Sequence, residues 1–168
     1  MTSPVDSPQY FPRLPESFTD QADRSIRIEH YDGQPEPLIE MYTEFDSGSF
    51  SQGVPPRTRT QIEEWVTHLL AEGHNVVAFH DGRPVGHTVM FPHDDTSELA
   101  IFVHPDYQSA GIGTKLIRAV LGYSQREGIN HVWLTVARDN RIAIKLYRSA
   151  GFEIRDEDRG ELEMERDL

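Results

Sequence analysis

The sequence predicts a mixed α/β domain with strands and helices interleaved, and three observations predict it. Apolar residues recur with period two in some segments and at helical spacing in others, in the order β-α-α-β-β-β-α-β-α-β-β. Clusters of Gly, Pro and Asp separate these segments, and Asp81-Gly82 between two apolar runs is a hairpin signal. The 168 residues suit one domain with one sizeable core, and no internal repeat divides them.

Residues 1–23 carry Pro4, Pro8, Pro12 and Pro15 among polar neighbours and read as a flexible arm, leaving 24–168 as the single domain. Ser25 to His30 alternates polar and apolar, the pattern of a first strand. Leu38, Ile39, Met41, Tyr42 and Phe45 follow helical spacing, with Pro35 and Pro37 near the start. A Ser, Gly and Pro-rich loop, Asp46 to Pro56, comes next. Thr60-Gln61-Ile62-Glu63 then has the form of a capping box opening a helix through Trp65, Val66, Leu69 and Leu70, with Gly73 as its end. Val76 to His80 and Val85 to Phe91 are the strands flanking Asp81-Gly82. Pro92 to Asp95 turns the chain into Glu98 to Val103, whose apolar run suits a strand covered on both faces. Ile112, Leu116, Ile117, Val120 and Leu121 mark a helix up to Gly128, and His131 to Val136 the next strand. Asn140 opens a helix containing Ile142, Ile144, Leu146 and Tyr147, which Gly151 closes as a left-handed cap. Phe152 to Arg155 and Glu161 to Glu165 are two terminal strands. Trp65 and Trp133 read as core residues.

Composition excludes several functions. A chain that is 37% hydrophobic and 26% charged is globular rather than disordered. It has no apolar run of membrane-spanning length and no basic-then-apolar leader, so the expected location is cytoplasmic. With no cysteine there is no thiolate nucleophile, disulfide or cysteine-ligated zinc, and the eight scattered histidines form no metal-binding pair, so no metal is expected. A net charge of -12 argues against nucleic-acid binding and is compatible with a cationic substrate. Lys115 and Lys145 are the only lysines, and an acidic, lysine-poor surface suits a high-salt cytoplasm. Between Gln108 and Phe152 the balance reverses. Lys115, Arg118, Arg126, Arg138, Arg141, Lys145 and Arg148 face only Glu127 and Asp139, so an anionic ligand is expected there.

The chemistry concentrates in a strand followed by Gln108-Ser109-Ala110-Gly111-Ile112-Gly113 and an amphipathic helix. Glycine lets a backbone approach a ligand closely, and the first N–H groups of a helix lack internal partners, so this junction favours a pyrophosphate. No Lys-Ser or Lys-Thr follows the second glycine, as a Walker loop requires, and the dinucleotide fingerprint lacks one glycine.

The wider stretch Val103-His104-Pro105-Asp106-Tyr107-Gln108-Ser109-Ala110-Gly111-Ile112-Gly113-Thr114-Lys115-Leu116 resembles the signature region of the GNAT acyltransferase superfamily. Val136-Ala137-Arg138-Asp139-Asn140, with Ala143, Leu146-Tyr147 and Ala150-Gly151-Phe152-Glu153, is similar to that family's following strand and helix. The likeness in element order runs from about Ser25 to the C-terminus. At the level of residues it holds from Glu98 to Glu153, and the protein-lysine acetyltransferase branch is the part it most resembles.

The resemblance implies a central, twisted, mostly antiparallel sheet flanked by helices, with the strands bearing Ile101–Val103 and Val132–Val136 splayed around acetyl-CoA. It implies that the backbone of Ile101, Phe102 and Val103 binds the pantetheine arm, with the Val103 N–H polarising the thioester carbonyl. Gln108, Ser109, Ala110, Gly111, Ile112, Gly113 and Thr114 would hold the pyrophosphate. Asn140 would contact the cofactor arm, and Tyr147 would protonate the departing thiolate. Glu98 is the expected general base, with His104 and His87 in reserve, because an amine attacks only when neutral. Glu44, Phe45 and Phe50 are candidates for the acceptor entrance. The expected activity is direct acetyl transfer to a primary amine, from a small molecule, a polyamine or a protein lysine. Neither nucleic acid nor a membrane is expected as a partner, and a homodimer is left open. The alternatives are a CoA-binding module of the same fold without turnover, and a nucleotide-phosphate enzyme using the same turn.

Overall fold

The computed structural model describes residues 13–45, 56, 58–158 and 160–168. Among them one sheet of eight strands has the order β1-β2-β3-β4-β5-β6-β8-β7. The strands are β1 Glu16–Thr19, β2 Ser25–His30, β3 His74–His80, β4 Arg83–His93, β5 Thr96–Val103, β6 His131–Ala137, β7 Glu153–Glu157 and β8 Glu161–Asp167. Every pairing is antiparallel except β5 with β6. The helices are α1 Glu36–Thr43, α2 Arg59–Glu72, α3 Ile112–Arg126 and α4 Arg141–Ser149. This is the mixed α/β sheet flanked by helices that the sequence predicts.

Alternation along each strand divides the core in two. On one face Ile26, Ile28, Val76, Ala78, Ile101, Leu134 and Met164 pack against α3 and α4 through Leu116, Ile117, Val120, Ala143 and Tyr147. On the other, Val77 and Phe102 meet α1 and α2 through Leu38, Met41, Tyr42, Ile62 and Val66. Trp65 belongs to this second layer, edge-on to Tyr42 at 4.8 Å and to Phe102 at 5.3 Å. Trp133 is half-buried and belongs to neither, contrary to its reading as core.

Three local expectations change. Within the supposed arm, Glu16–Thr19 forms β1 on the edge of β2, and the first twelve residues lie outside the described ones. The cap of α2 is Thr58, not Thr60, and its hydroxyl accepts from the Gln61 N–H at 3.2 Å. A Thr-x-x-Gln pattern, Thr58 to Gln61, therefore takes the place of the expected Thr-x-x-Glu, two residues earlier. Pro92 lies inside β4, and the turn comes at Asp94, where φ is 55°. Gly151 does close α4 with φ 89°, as expected.

Candidate functional site

The parallel ladder between β5 and β6 is short. It pairs Thr96 with His131, Ser97 with Val132 and Glu98 with Trp133, then stops. Beyond Glu98 the strands diverge, because β5 continues beside β4 while β6 turns with β8. The expected splay is present. Antiparallel alternation sets which β5 groups face the opening. The His104 N–H bonds Val85 O at 2.9 Å, so those of Phe102 and Ala100 also turn toward β4, and those of Val103 and Ile101 turn toward β6. Phe102 is therefore not brought to the opening: its ring packs between Tyr42 and Trp65.

After β5 a short 3-10 turn, Pro105–Tyr107, leads to the glycine segment. Gln108 folds back and donates to Val103 O at 3.1 Å. Ser109 and Gly111 have φ of 59° and 93°, and Gly111 is the N-cap of α3. This conformation suits a residue without Cβ and points successive N–H groups outward. The first bond within α3 is from the Lys115 N–H to Gly111 O at 3.3 Å, so the N–H groups of Ile112, Gly113 and Thr114 precede it. A Cβ on Gly113 would stand 3.1 Å from Leu146 Cδ2, so any side chain there requires Leu146 to give by a few tenths of an ångström.

A cleft of about 410 Å³ opens between the two helix N-termini. Val103, Gln108, Ser109, Gly111, Gly113 and Thr114 line one side, Asn140, Ala143 and Leu146 the other. Lys145 adds a cation, exposed Ile142 forms an apolar rim, and among the described residues no carboxylate contributes. In a chain of net charge -12 this is a locally anion-receptive cleft. Asn140 caps α4, its Oδ1 accepting from the Ala143 N–H at 3.1 Å. Ala110 and Ile112 are buried, and Ala110 O accepts from the Gln21 N–H at 3.0 Å.

Sequence reasoning missed this brace. Gln21 itself lines the cleft, and Arg24 bonds Asp20 at 2.8 Å and Asp106 O at 3.1 Å while lying 4.0 Å over the Tyr107 ring. No motif marks residues 20–24, and their role follows only from the β1–β2 hairpin.

Tyr147 sits beneath the cleft rather than in its lining. It is fully buried, edge-on to Phe152 at 6.0 Å, and burial pushes its phenol up, so it stays protonated. Glu98 is half-buried on the opposite sheet face. Burial pushes its carboxyl above the usual range, against a smaller opposing pull from His93.

The two reserve bases are both engaged. Asn75 donates through Nδ2 to Leu69 O at 2.9 Å and Gly73 O at 3.0 Å, so its Oδ1 accepts. His87 Nε2, 2.7 Å away, must carry the proton, and Nδ1 accepts from Tyr42 at 2.6 Å. Burial pushes His87 down to about 3, so it is neutral at physiological pH and has no lone pair to spare. His104 bonds Glu44 Oε2 through Nε2 at 2.6 Å and accepts the Asp106 N–H through Nδ1 at 3.0 Å. Glu44 thus lines a separate cavity of about 270 Å³ with His80 and Tyr107. Phe45 packs 5.3 Å from Tyr42, and Phe50 lies outside the described residues.

A stability prediction follows from His87. Its folded value is depressed, so between about 3 and the usual 6.5 the unfolded chain binds a proton that the folded chain does not. Stability is therefore lost as pH falls through this window, by roughly 2 kcal/mol from this group between pH 6.5 and 4.5. Thermal melts should show a flatter acid limb for His87→Gln than for the wild type. Equal slopes would contradict the buried neutral assignment.

Comparison with known proteins gives the family and the fold. The sequence profile described as the acetyltransferase (GNAT) family matches residues 36–152. A [ribosomal protein bS18]-alanine N-acetyltransferase of Haemophilus ducreyi is 35% identical over 92 residues, covering 55% of this chain and 59% of that protein. The matched segment spans about half the length of such curated relatives, 41% in an uncharacterized N-acetyltransferase of Methanocaldococcus jannaschii. Among solved structures, the GNAT domain of S. lividans PAT superposes with a TM-score of 0.77 at 17% identity, covering 92% of this chain and 97% of that one. The PaiA N-acetyltransferase of Thermoplasma acidophilum, solved with coenzyme A, gives 0.65 at 21% identity, covering 84% and 99%. With the splayed strands and the glycine turn at α3 in place, the profile match over most of its length means that the chain belongs to the acetyltransferase (GNAT) family.

Proposed function

We propose that the chain transfers an acetyl group from acetyl-CoA directly to a primary amine in a ternary complex. One observation carries this reading. The β5–β6 ladder ends at Glu98–Trp133, and the opening it leaves leads into a cleft floored by the α3 N-terminus and lined, among the described residues, by no carboxylate. The residues present fit the cofactor. Gly111 and Gly113 leave room for a diphosphate against the N–H groups of Ile112 to Thr114, Lys145 supplies charge, and the outward backbone of Ile101 and Val103 suits an extended amide-bearing arm.

Acetyl-CoA, when bound, supplies an acetyl group activated as a thioester. The remaining tasks belong to the chain. Glu98, raised by burial toward neutrality, accepts a proton from the acceptor's ammonium group, leaving a neutral amine able to attack. The Val103 N–H polarises the carbonyl. Burial keeps the Tyr147 phenol protonated and makes it a weaker acid, so in this reading it meets the departing thiolate as a hydrogen-bond donor before any proton transfer. Acceptors in this reading are a protein lysine, a polyamine or another small amine. The likeness to a ribosomal-protein alanine acetyltransferase adds a protein α-amine.

A second reading, CoA binding without turnover, is favoured by the full burial of Tyr147 outside the cleft lining. A thiol-release assay separates the two. The chain contains no cysteine, so every thiol titrated in a mixture with acetyl-CoA and an amine panel is released CoA. Amine-dependent release supports transfer, and tight binding with no release from any acceptor supports the second reading. Tyr147→Phe is expected to lower kcat by about tenfold to a hundredfold while acetyl-CoA affinity holds within about twofold. A fully active variant would return Tyr147 to core packing alone.

A further inference from the structure

Cross-strand register places a row of side chains on the sheet face opposite α3 and α4, at the mouth of the splay. Phe91 on β4 pairs with Glu98 on β5, Glu98 with Trp133 on β6, and Trp133 with Glu165 on β8. Directly paired residues share a face, and adjacent strands lie about 4.8 Å apart. Helix α2 covers one end of the row, where His68 stacks on Phe91 at 6.2 Å. Among the described residues Trp133, a half-buried indole, is packed into neither core layer. Beyond it, Glu165 is occupied by His131 at 2.8 Å and Arg155 at 3.7 Å.

A large aromatic left partly exposed contributes less to stability than a fully buried one. The negative face of an indole attracts an ammonium group. Trp133 stands at the last rung of the β5–β6 ladder, beside the candidate base, where an acceptor from this face first reaches the splayed strands.

We infer that Trp133 determines acceptor specificity: its indole holds the ammonium form of an alkyl amine beside Glu98, so the enzyme selects cationic amines over neutral nitrogen nucleophiles. This rests on the acetyltransferase reading above. The ammonium group docks on the ring, gives one proton to the Glu98 carboxylate, and the nitrogen lone pair thereby freed is the attacking group. A nucleophile that is neutral in water needs neither step and gains nothing from the ring.

The test is steady-state kinetics of the full chain with n-butylamine and with butyric hydrazide, which is of similar size and uncharged at pH 7.5. Trp133→Leu is expected to raise KM for the amine about tenfold, leave that for the hydrazide within about twofold, and leave acetyl-CoA affinity unchanged. Trp133→Phe, which keeps an aromatic face, is expected to fall between. An equal rise for both nucleophiles, or no rise for the amine, would overturn the role of Trp133 while leaving the acetyltransferase reading intact. A wild type that acetylates neither, yet binds acetyl-CoA, would overturn both.

Discussion

Gly111→Asp will abolish acetyl-CoA binding while leaving the fold in place. The two halves of this result have separate causes. At φ 93° an L side chain is strained, by roughly 1–2 kcal/mol, yet its Cβ would meet only the Gln21 side chain at 3.5 Å, an ordinary contact. The chain already carries aspartates at positive φ, at Asp23, Asp81 and Asp94. An aspartate at the N-cap of α3 also accepts from the N–H groups of the second and third helical residues, Gly113 and Thr114, which offsets part of the strain. Those are the N–H groups assigned to the diphosphate. The carboxylate therefore occupies the donors and repels the ligand at once. The expected loss of affinity is a hundredfold or more by calorimetry, with a melting temperature close to that of the wild type. Unchanged affinity would remove the turn from the site.

Glu98→Gln will lower kcat/KM by about a hundredfold near pH 6.5, and by much less near pH 9.5. The substitution is isosteric, so the ladder with Trp133 persists and only the proton acceptor is lost. The pH dependence follows from the amine. Near pH 6.5 nearly all of an alkyl amine is ammonium, so a base in the site is worth most. As pH climbs toward the amine's own pKa, the free-base fraction in bulk grows and the variant recovers. A variant whose deficit is the same at every pH would show that Glu98 does not remove this proton.

The turn was legible because glycine spacing after an apolar strand encodes its own backbone requirement. Gly111 indeed takes φ 93°, and Gly113 sits where α3 meets Leu146. Strand β2 and helices α3 and α4 emerge from periodicity because each buries one regular face, and the β3–β4 hairpin from two apolar runs around Asp81-Gly82 that are buried on both faces. What stayed hidden depends on tertiary context. Four-residue β1 has too few positions for a pattern and exists through its pairing with β2. Alternation places Trp133 opposite Val132 and Leu134, but no local signal tells that neither core layer takes it in. Tyr147 matches the family spacing, yet that spacing is equally that of a core aromatic, and the structure buries it. Sequence alone does not separate His87 from His104 as a reserve base. Only the amide of Asn75 and the hydroxyl of Tyr42 fix His87 as neutral and closed off.

The central claim is that the opening between β5 and β6, floored by the α3 N-terminus, is an acetyl-CoA site. Calorimetric titration of the purified chain with acetyl-CoA, with ATP and NAD as controls and at low and high salt, tests it most directly. Saturable binding near one equivalent for acetyl-CoA, with neither control competing, is the expected result. A folded sample that binds no acetyl-CoA at either salt concentration, or binds ATP in its place, would contradict it.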